Sequence, residues 1–251
     1  MSEILLQPFQ TGVKRKPCAT ASNYLFSDHP ACLAEDIPTK ASIKSRMPYV
    51  YKQIYGSCTA NAVVACDHYY YHTNKHHPSA TFTYHQARVI DGCGRSKRDD
   101  GSSVESALMA VRKYGVCVAE VWPNEKPFYK KPSKEAYKNG LKGQELTTFH
   151  RLRSLTQLKK AIAKGYPIPC AVAWAFRIID GNSWIMKPPT DEDLEDCSGH
   201  AIVIVGYDDE KRLVEFRNSW GATWGNNGYA YIDYDTFKKI VWWDDTYAVI
   251  K

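Results

Sequence analysis

The chain has 251 residues, 44% of them apolar, and a formal net charge of +6 at pH 7. That is enough apolar side chain to bury a full core, as one large domain or as two closely packed lobes. Lys and Arg over 126–142 and 159–164 are interleaved with acids, which reads as a solvated surface rather than a nucleic-acid face; no run of about 18 apolar residues is present to cross a membrane as a helix.

The first residues, Met1 to Pro8, carry neither a basic stretch nor a long apolar one, and no Asn-x-Ser/Thr acceptor occurs anywhere. The expected setting is a reducing cytoplasm. Eight cysteines would suit a disulfide framework, but a chain that must keep one thiol free leaves an odd number to pair. No Cys-x-x-Cys spacing is present, so no structural zinc site is expected, and no cofactor either.

Cys58 follows a Gly56-Ser57 turn and opens the small, apolar run Thr59-Ala60-Asn61-Ala62-Val63-Val64-Ala65. The run predicts a buried helix with Cys58 in its first turn, where unpaired N–H groups and the helix dipole favour a thiolate. His68, His72 and His76 recur every four residues and would share one face if that helix continued; a surfacing helix end is the preferred reading. Residues 91–103 form a glycine-punctuated loop. Ser102 or Ser103 then caps a helix with Val104, Ala107, Leu108 and Val111 on one face, closed by Gly115. Ser133 caps a short helix ending near Gly140, and 156–165 is a further amphipathic helix with Leu158 and Ile162 inward. Strands are predicted at 168–174, 201–207, 213–217 and 229–234. His200 opens the second of these, a β-branched run buried on both faces. Asn218 ends the third and is followed by Trp220, whose indole could shield an Asn–His hydrogen bond from water.

Cys58, His200 and Asn218 therefore supply a thiol, an imidazole and an amide in that order, about 140 and then about 20 residues apart. Each stands at the edge of a regular element, in a pattern suited to nucleophilic catalysis. With Gln53, Gly199-His200-Ala201, Gly206-Tyr207, Asn218-Ser219-Trp220-Gly221, Trp224-Gly225 and Gly228-Tyr229, the chain resembles the papain-like cysteine peptidases, the family of papain and the cathepsins. The resemblance covers residues 37–251. The Gly-Ser-Cys-Thr-Ala-Asn-Ala stretch brings it nearer to the propeptide-poor members of microbes and large viruses.

The resemblance implies an α+β, two-lobed fold: a helical lobe over about 50–140 and a β-barrel-like lobe over about 145–251, with the cleft between them. It implies that Cys58 attacks the scissile carbonyl, that His200 carries the proton to the leaving amine, and that Asn218 sets the imidazole tautomer. Gln53 and the Cys58 backbone N–H would donate to the oxyanion. Gly101 and Ser102 would pair with an extended substrate as an added strand, unless their loop is a plain solvated surface; Gly199 and Trp220 would also bind substrate, and Asp244 would lie near the floor of a pocket that takes Arg or Lys. The run Trp242-Trp243-Asp244-Asp245 also reads as a surface turn. Two departures stand out: Gln53 is five residues before Cys58 where the family has six, and Tyr55 replaces a cysteine that many members use in a disulfide.

Residues 1–36 are too few for their own core but, extended, span on the order of 110 Å, enough to cross such a cleft. They read as an arm packed on the second lobe or as a short inhibitory propeptide, and less readily as a redox lock in which Cys18 or Cys32 pairs with Cys58. The expected partners are peptide or protein substrates, with no nucleic acid, no membrane and a monomeric chain. Two other functions fit the same residues: a binding or scaffold protein with a defective oxyanion loop, and acyl or amide transfer by the same triad.

Overall fold

The computed structural model describes residues 2–6, 11–14, 25–33, 36–71, 76–142 and 148–251. Four helices come first: α1 (Cys58–Tyr71), α2 (Ala80–Ile90), α3 (Val104–Tyr114) and α4 (Lys134–Lys142). Three more, α5 (Leu155–Ala163), α6 (Asp191–Glu195) and α7 (Tyr234–Ile240), accompany the strands. The strands are β1 (Glu3–Leu5), β2 (Lys40–Ser42), β3 (Thr148–Arg151), β4 (Ile168–Trp174), β5 (Ile178–Asp180), β6 (Ser198–Asp208), β7 (Leu213–Arg217), β8 (Tyr229–Asp233) and β9 (Val241–Ile250).

Local chemistry sets the element ends. Ser103 Oγ accepts the Ser106 N–H at the start of α3, and Gly115, at φ +68°, ends it in a backbone region that a side chain would strain. Ser154 caps α5 in the same way. Every residue of α1 from Cys58 to Cys66 is buried. Most are small, so α1 can be surrounded by α2, α3, β4 and β6 at close range. Ala62, Val63 and Ala65 join the sheet side chains of β4, β6 and β9 in one shared core, while Ala60 packs with Tyr84 and Phe128.

The main sheet is antiparallel, in the order β3-β9-β4-β6-β7-β8, with β2 added on β6. Among the described residues this order does not return on itself to close a barrel. In the β4–β6 register Val172 faces His200, which fixes the imidazole near the rim of the sheet. Among the elements that the periodicity argument missed, two bear on the site, α2 and β9. Helix α2 is almost wholly buried and shows no polar face to betray its period. Strand β9 runs through Trp242 to Asp245, because its backbone pairs with β3 and β4 and the strand passes into the core beyond Asp244.

Residues 2–6 lie against the second lobe. β1 pairs antiparallel with β5, and residues 11–14 continue over the junction of the two lobes. The seven cysteines among the described residues are all free thiols, Cys32 and Cys58 included, so Cys32 forms no lock on Cys58; Cys18 lies outside the described residues. The histidine series does not share one described face. His68 is buried with its Nδ1 2.6 Å from Tyr51 Oη, His76 pairs with Glu120 at 3.6 Å, and His72 lies outside the described residues. No described helix is long and apolar enough to cross a membrane.

Candidate active site

Cys58 is the first residue of α1 and is fully buried. Its sulfur lies within hydrogen-bonding reach of the backbone N–H groups of Ala201, Gly12 and Thr59 and of its own. The Thr59 and Cys58 groups are the unpaired donors of the helix start that the sequence predicts. The Ala201 group brings the thiol beside the residue that follows His200.

His200 is also fully buried. Its Nε2 lies 2.9 Å from Asn218 Oδ1, while no protein hydrogen-bond partner meets its Nδ1. A neutral ring that donates from Nε2 to the amide oxygen presents a bare Nδ1 lone pair, the tautomer needed to take a proton from a thiol. Asn218 is itself held: its N–H donates to Gly228 O at 2.9 Å and its Oδ1 accepts the Ser219 N–H at 2.8 Å. Trp220 packs on the imidazole at 4.7 Å between ring centres, and Trp174, from the end of β4, meets it edge-on at 4.8 Å. Nothing short-range in the sequence marks Trp174 as a partner of His200; only the β4–β6 register does.

Burial controls the ionisation of both groups. It pushes the Cys58 thiol up to about 11 against the pull of the four N–H donors, and it pushes His200 down to about 4 against the hydrogen bond to Asn218. In this dry arrangement thiol and imidazole are both neutral. The thiolate anticipated from the helix start alone is thus outweighed by desolvation while the cleft is covered.

The cover is the N-terminal arm. Val13 N–H donates to Gly199 O at 3.0 Å, Lys14 N–H to Ser102 O at 2.9 Å, and Ser102 N–H to Gly12 O at 2.9 Å. Gly101, at φ +75°, has no space for a side chain: a Cβ there would lie 1.7 Å from Gly12 O. Gly101, Ser102 and Gly199 therefore form an edge that an extended chain pairs with, and here the chain's own residues 12–14 occupy it. An arm or short propeptide able to cross the cleft is expected from the sequence, but not which of its residues sit there, because every one of these bonds is made by backbone groups.

Gln53 is tethered on both sides of its amide, with Oε1 accepting from Ser219 Oγ at 2.5 Å and Nε2 donating to Tyr55 O at 3.0 Å. Its backbone N–H also donates to Ser219 O at 2.8 Å. The loop that is one residue short is thereby stitched to the segment that carries Asn218. Asp244 is expected either at a pocket floor or in a surface turn. It is exposed on β9, whereas the ring of Trp242 reaches Gly199, where a Cβ would lie 2.6 Å from it. Asp245, next in the chain, is buried and accepts the N–H groups of Val104 and Glu105 at the start of α3, each at 2.9 Å. The alternation of β9 turns Asp244 outward and Asp245 inward.

The family described as papain family cysteine protease matches residues 40–246. An uncharacterized peptidase C1-like protein of Acanthamoeba polyphaga mimivirus is 27% identical over 202 residues, 71% of this chain and 62% of that protein. A cysteine proteinase of Theileria parva is 30% identical over 188 residues, 69% of this chain and 38% of that protein. The chain thus matches less than two thirds of the length of these curated relatives. The crystal structure of xylellain, a cysteine protease from Xylella fastidiosa, superposes with a TM-score of 0.77 at 26% identity and covers 99% of both chains.

Proposed function

This chain belongs to the papain family of cysteine proteases, and from that premise we propose that it hydrolyses peptide bonds through Cys58, His200 and Asn218. The observation that carries the reading is the fixed imidazole: Nε2 is committed to Asn218 Oδ1 at 2.9 Å and Nδ1 is bare, with the Cys58 sulfur against the neighbouring Ala201 N–H.

In the reaction His200 Nδ1 takes the Cys58 proton, and the thiolate adds to the scissile carbonyl carbon. The oxyanion that forms is met by the Cys58 backbone N–H and by Gln53 Nε2. His200 then gives its proton to the leaving amine, which departs and leaves a thioester. A water, deprotonated by the same imidazole, cleaves the thioester and frees the acid product. Asn218 holds the ring in one tautomer throughout, and Trp220 and Trp174 keep water from that bond. Gly101, Ser102 and Gly199 would bind substrate backbone as they now bind the arm. The substrates are peptides or proteins, and the chain acts as a monomer.

Residues 1–36 act in this reading as an inhibitory arm. Gly12 directs an N–H at the Cys58 sulfur and its carbonyl oxygen at the Ser102 N–H. The arm thus fills the cleft through backbone contacts beside the nucleophile.

The test is intact mass after the reduced, full-length chain is incubated with a peptidyl epoxide, beside a Cys58→Ala control and a Gly12→Leu chain whose arm cannot seat. One adduct that is lost in Cys58→Ala supports the assignment. A folded Gly12→Leu chain that takes no adduct would mean an inactive fold kept for binding.

A further inference from the structure

We propose that Asp99 and Tyr84 are positioning residues, a relay that locks the loop before the nucleophile to the edge on which a peptide substrate pairs. The inference deepens the peptidase reading above and rests on it for the roles of the two loops. Asp99 Oδ2 accepts the Gly56 N–H at 2.8 Å, and Asp99 Oδ1 accepts the Tyr84 hydroxyl at 2.5 Å. The Tyr84 oxygen in turn accepts the Gly101 N–H at 3.0 Å. One carboxylate therefore fixes Gly56, two residues before Cys58, and, through one phenol, Gly101, the residue before Ser102.

The surroundings favour that arrangement over its alternatives. Tyr84 is completely buried, and burial together with the Asp99 carboxylate raises its hydroxyl pKa, so it remains a donor to Asp99. Arg88 lies beneath, also completely buried, with its guanidinium 4.9 Å from the Phe128 ring centre and 5.5 Å from that of Tyr84. Its Nη2 donates to the carbonyls of Cys93, Ser96 and Arg98 at 3.2, 3.0 and 2.8 Å, gathering the glycine-punctuated loop around one cation. Cys93 in that loop is a free thiol, and Tyr55 stands where many family members have a disulfide cysteine. The two loops are therefore joined by hydrogen bonds and charge, with no covalent bridge between them.

The two ends of the relay serve different steps. Gly56 belongs to the loop that sets the Cys58 N–H and Gln53, which act on the oxyanion. Gly101 belongs to the edge that binds substrate. A role in folding alone would not separate these two effects, and the relay does.

Amide hydrogen exchange at Gly56 and Gly101 in the full-length protein reads the relay directly. Tyr84→Phe should speed exchange at Gly101 by about tenfold, the worth of one hydrogen bond, and leave Gly56 unchanged. Asp99→Ala should speed both, with Asp99→Asn as the substitute if the alanine chain does not fold. In the full-length Gly12→Leu background, Tyr84→Phe should raise KM for an extended peptide several-fold at nearly constant kcat, while Asp99→Ala also lowers kcat by about tenfold. Alkylation of Cys58 by iodoacetamide needs neither loop and should keep its rate. Unchanged exchange at Gly101 in Tyr84→Phe, an effect of Asp99→Ala on one amide only, or equal losses in alkylation and turnover would each overturn the relay. A Cys58 that takes no epoxide would sink the peptidase reading alone, and the exchange pattern would still decide the relay.

Discussion

Gly12 and Gly56 meet so closely that a Cβ on Gly12 would lie 2.2 Å from the Gly56 carbonyl oxygen. Contact of this kind is with backbone, which cannot swing aside, so any larger residue at position 12 must lift the arm. The arm is held near the triad by the three backbone hydrogen bonds to Gly199 and Ser102. At about 1 kcal/mol each they amount to roughly 3 kcal/mol, or about a hundredfold in occupancy. Gly12→Leu should therefore raise turnover of a fluorogenic peptide by about one to two orders of magnitude. Equal rates for the two full-length chains would mean that the arm does not limit access.

Asn218→Ala removes the single hydrogen bond that sets the His200 tautomer. A bond to a group that becomes charged is worth about 1.5–3 kcal/mol, so kcat should fall on the order of tenfold to a hundredfold with KM little changed. Steady-state kinetics in the Gly12→Leu chain would show it, and a rise in KM alone would count against the assignment.

Trp174 touches His200 in two opposing ways. Its ring favours an imidazolium by about 0.5–2 kcal/mol, but it also helps to exclude water. The depression of His200 from 6.5 to about 4 is worth roughly 3 kcal/mol, so desolvation is the larger effect. Trp174→Ala should consequently move the His200 titration upward, toward 6.5, as read from its ring proton shifts. A downward move would show that the aromatic face, and not dryness, dominates.

Burial raises the Asp245 carboxyl to about 7 in the folded chain, from 3.8, against the pull of the Val104 and Glu105 N–H groups. Below both values the group is protonated in folded and unfolded chains alike. As pH rises between them the unfolded chain ionises first, so this group's contribution to stability falls across that window. The melting temperature of the parent chain minus that of Asp245→Asn should therefore decrease from about pH 4 to about pH 7. A difference that stays flat, or grows, would place the titration elsewhere.

The parts of the site that the sequence made legible are those carried by side chains in local context. Cys58 is marked by its Gly-Ser turn and small-residue helix, His200 by its β-branched strand, and Asn218 by the Ser-Trp-Gly that follows. Helix α3 and strand β4 were readable for the same reason, since their caps and periods lie within a few residues. That residues 1–36 form an arm or short propeptide was readable from their length, but the contact residues were not, because Gly12, Val13 and Lys14 act through main-chain groups that any sequence has. Asp245 and Trp174 reach their partners through sheet register, which depends on pairing between segments far apart in the chain. The outward face of Asp244 and the inward face of Asp245 have that cause as well: one step along a strand exchanges the two faces.

Strand β6 carries Gly199, His200 and Ala201 in succession, and pairs with β4 along its first half and with β7 along its second, across an irregularity between Ile204 and Gly206. Three consecutive residues therefore supply the arm's acceptor, the imidazole, and the N–H beside the sulfur. They can do so only in one alignment of β6 on β4. A slip of one position would put a glycine or an alanine where the imidazole must stand, and every contact in the cleft would be lost together. The proposed activity is thus an all-or-none report on how this sheet has been threaded, and a chain that has folded with any other pairing will be silent, not slow.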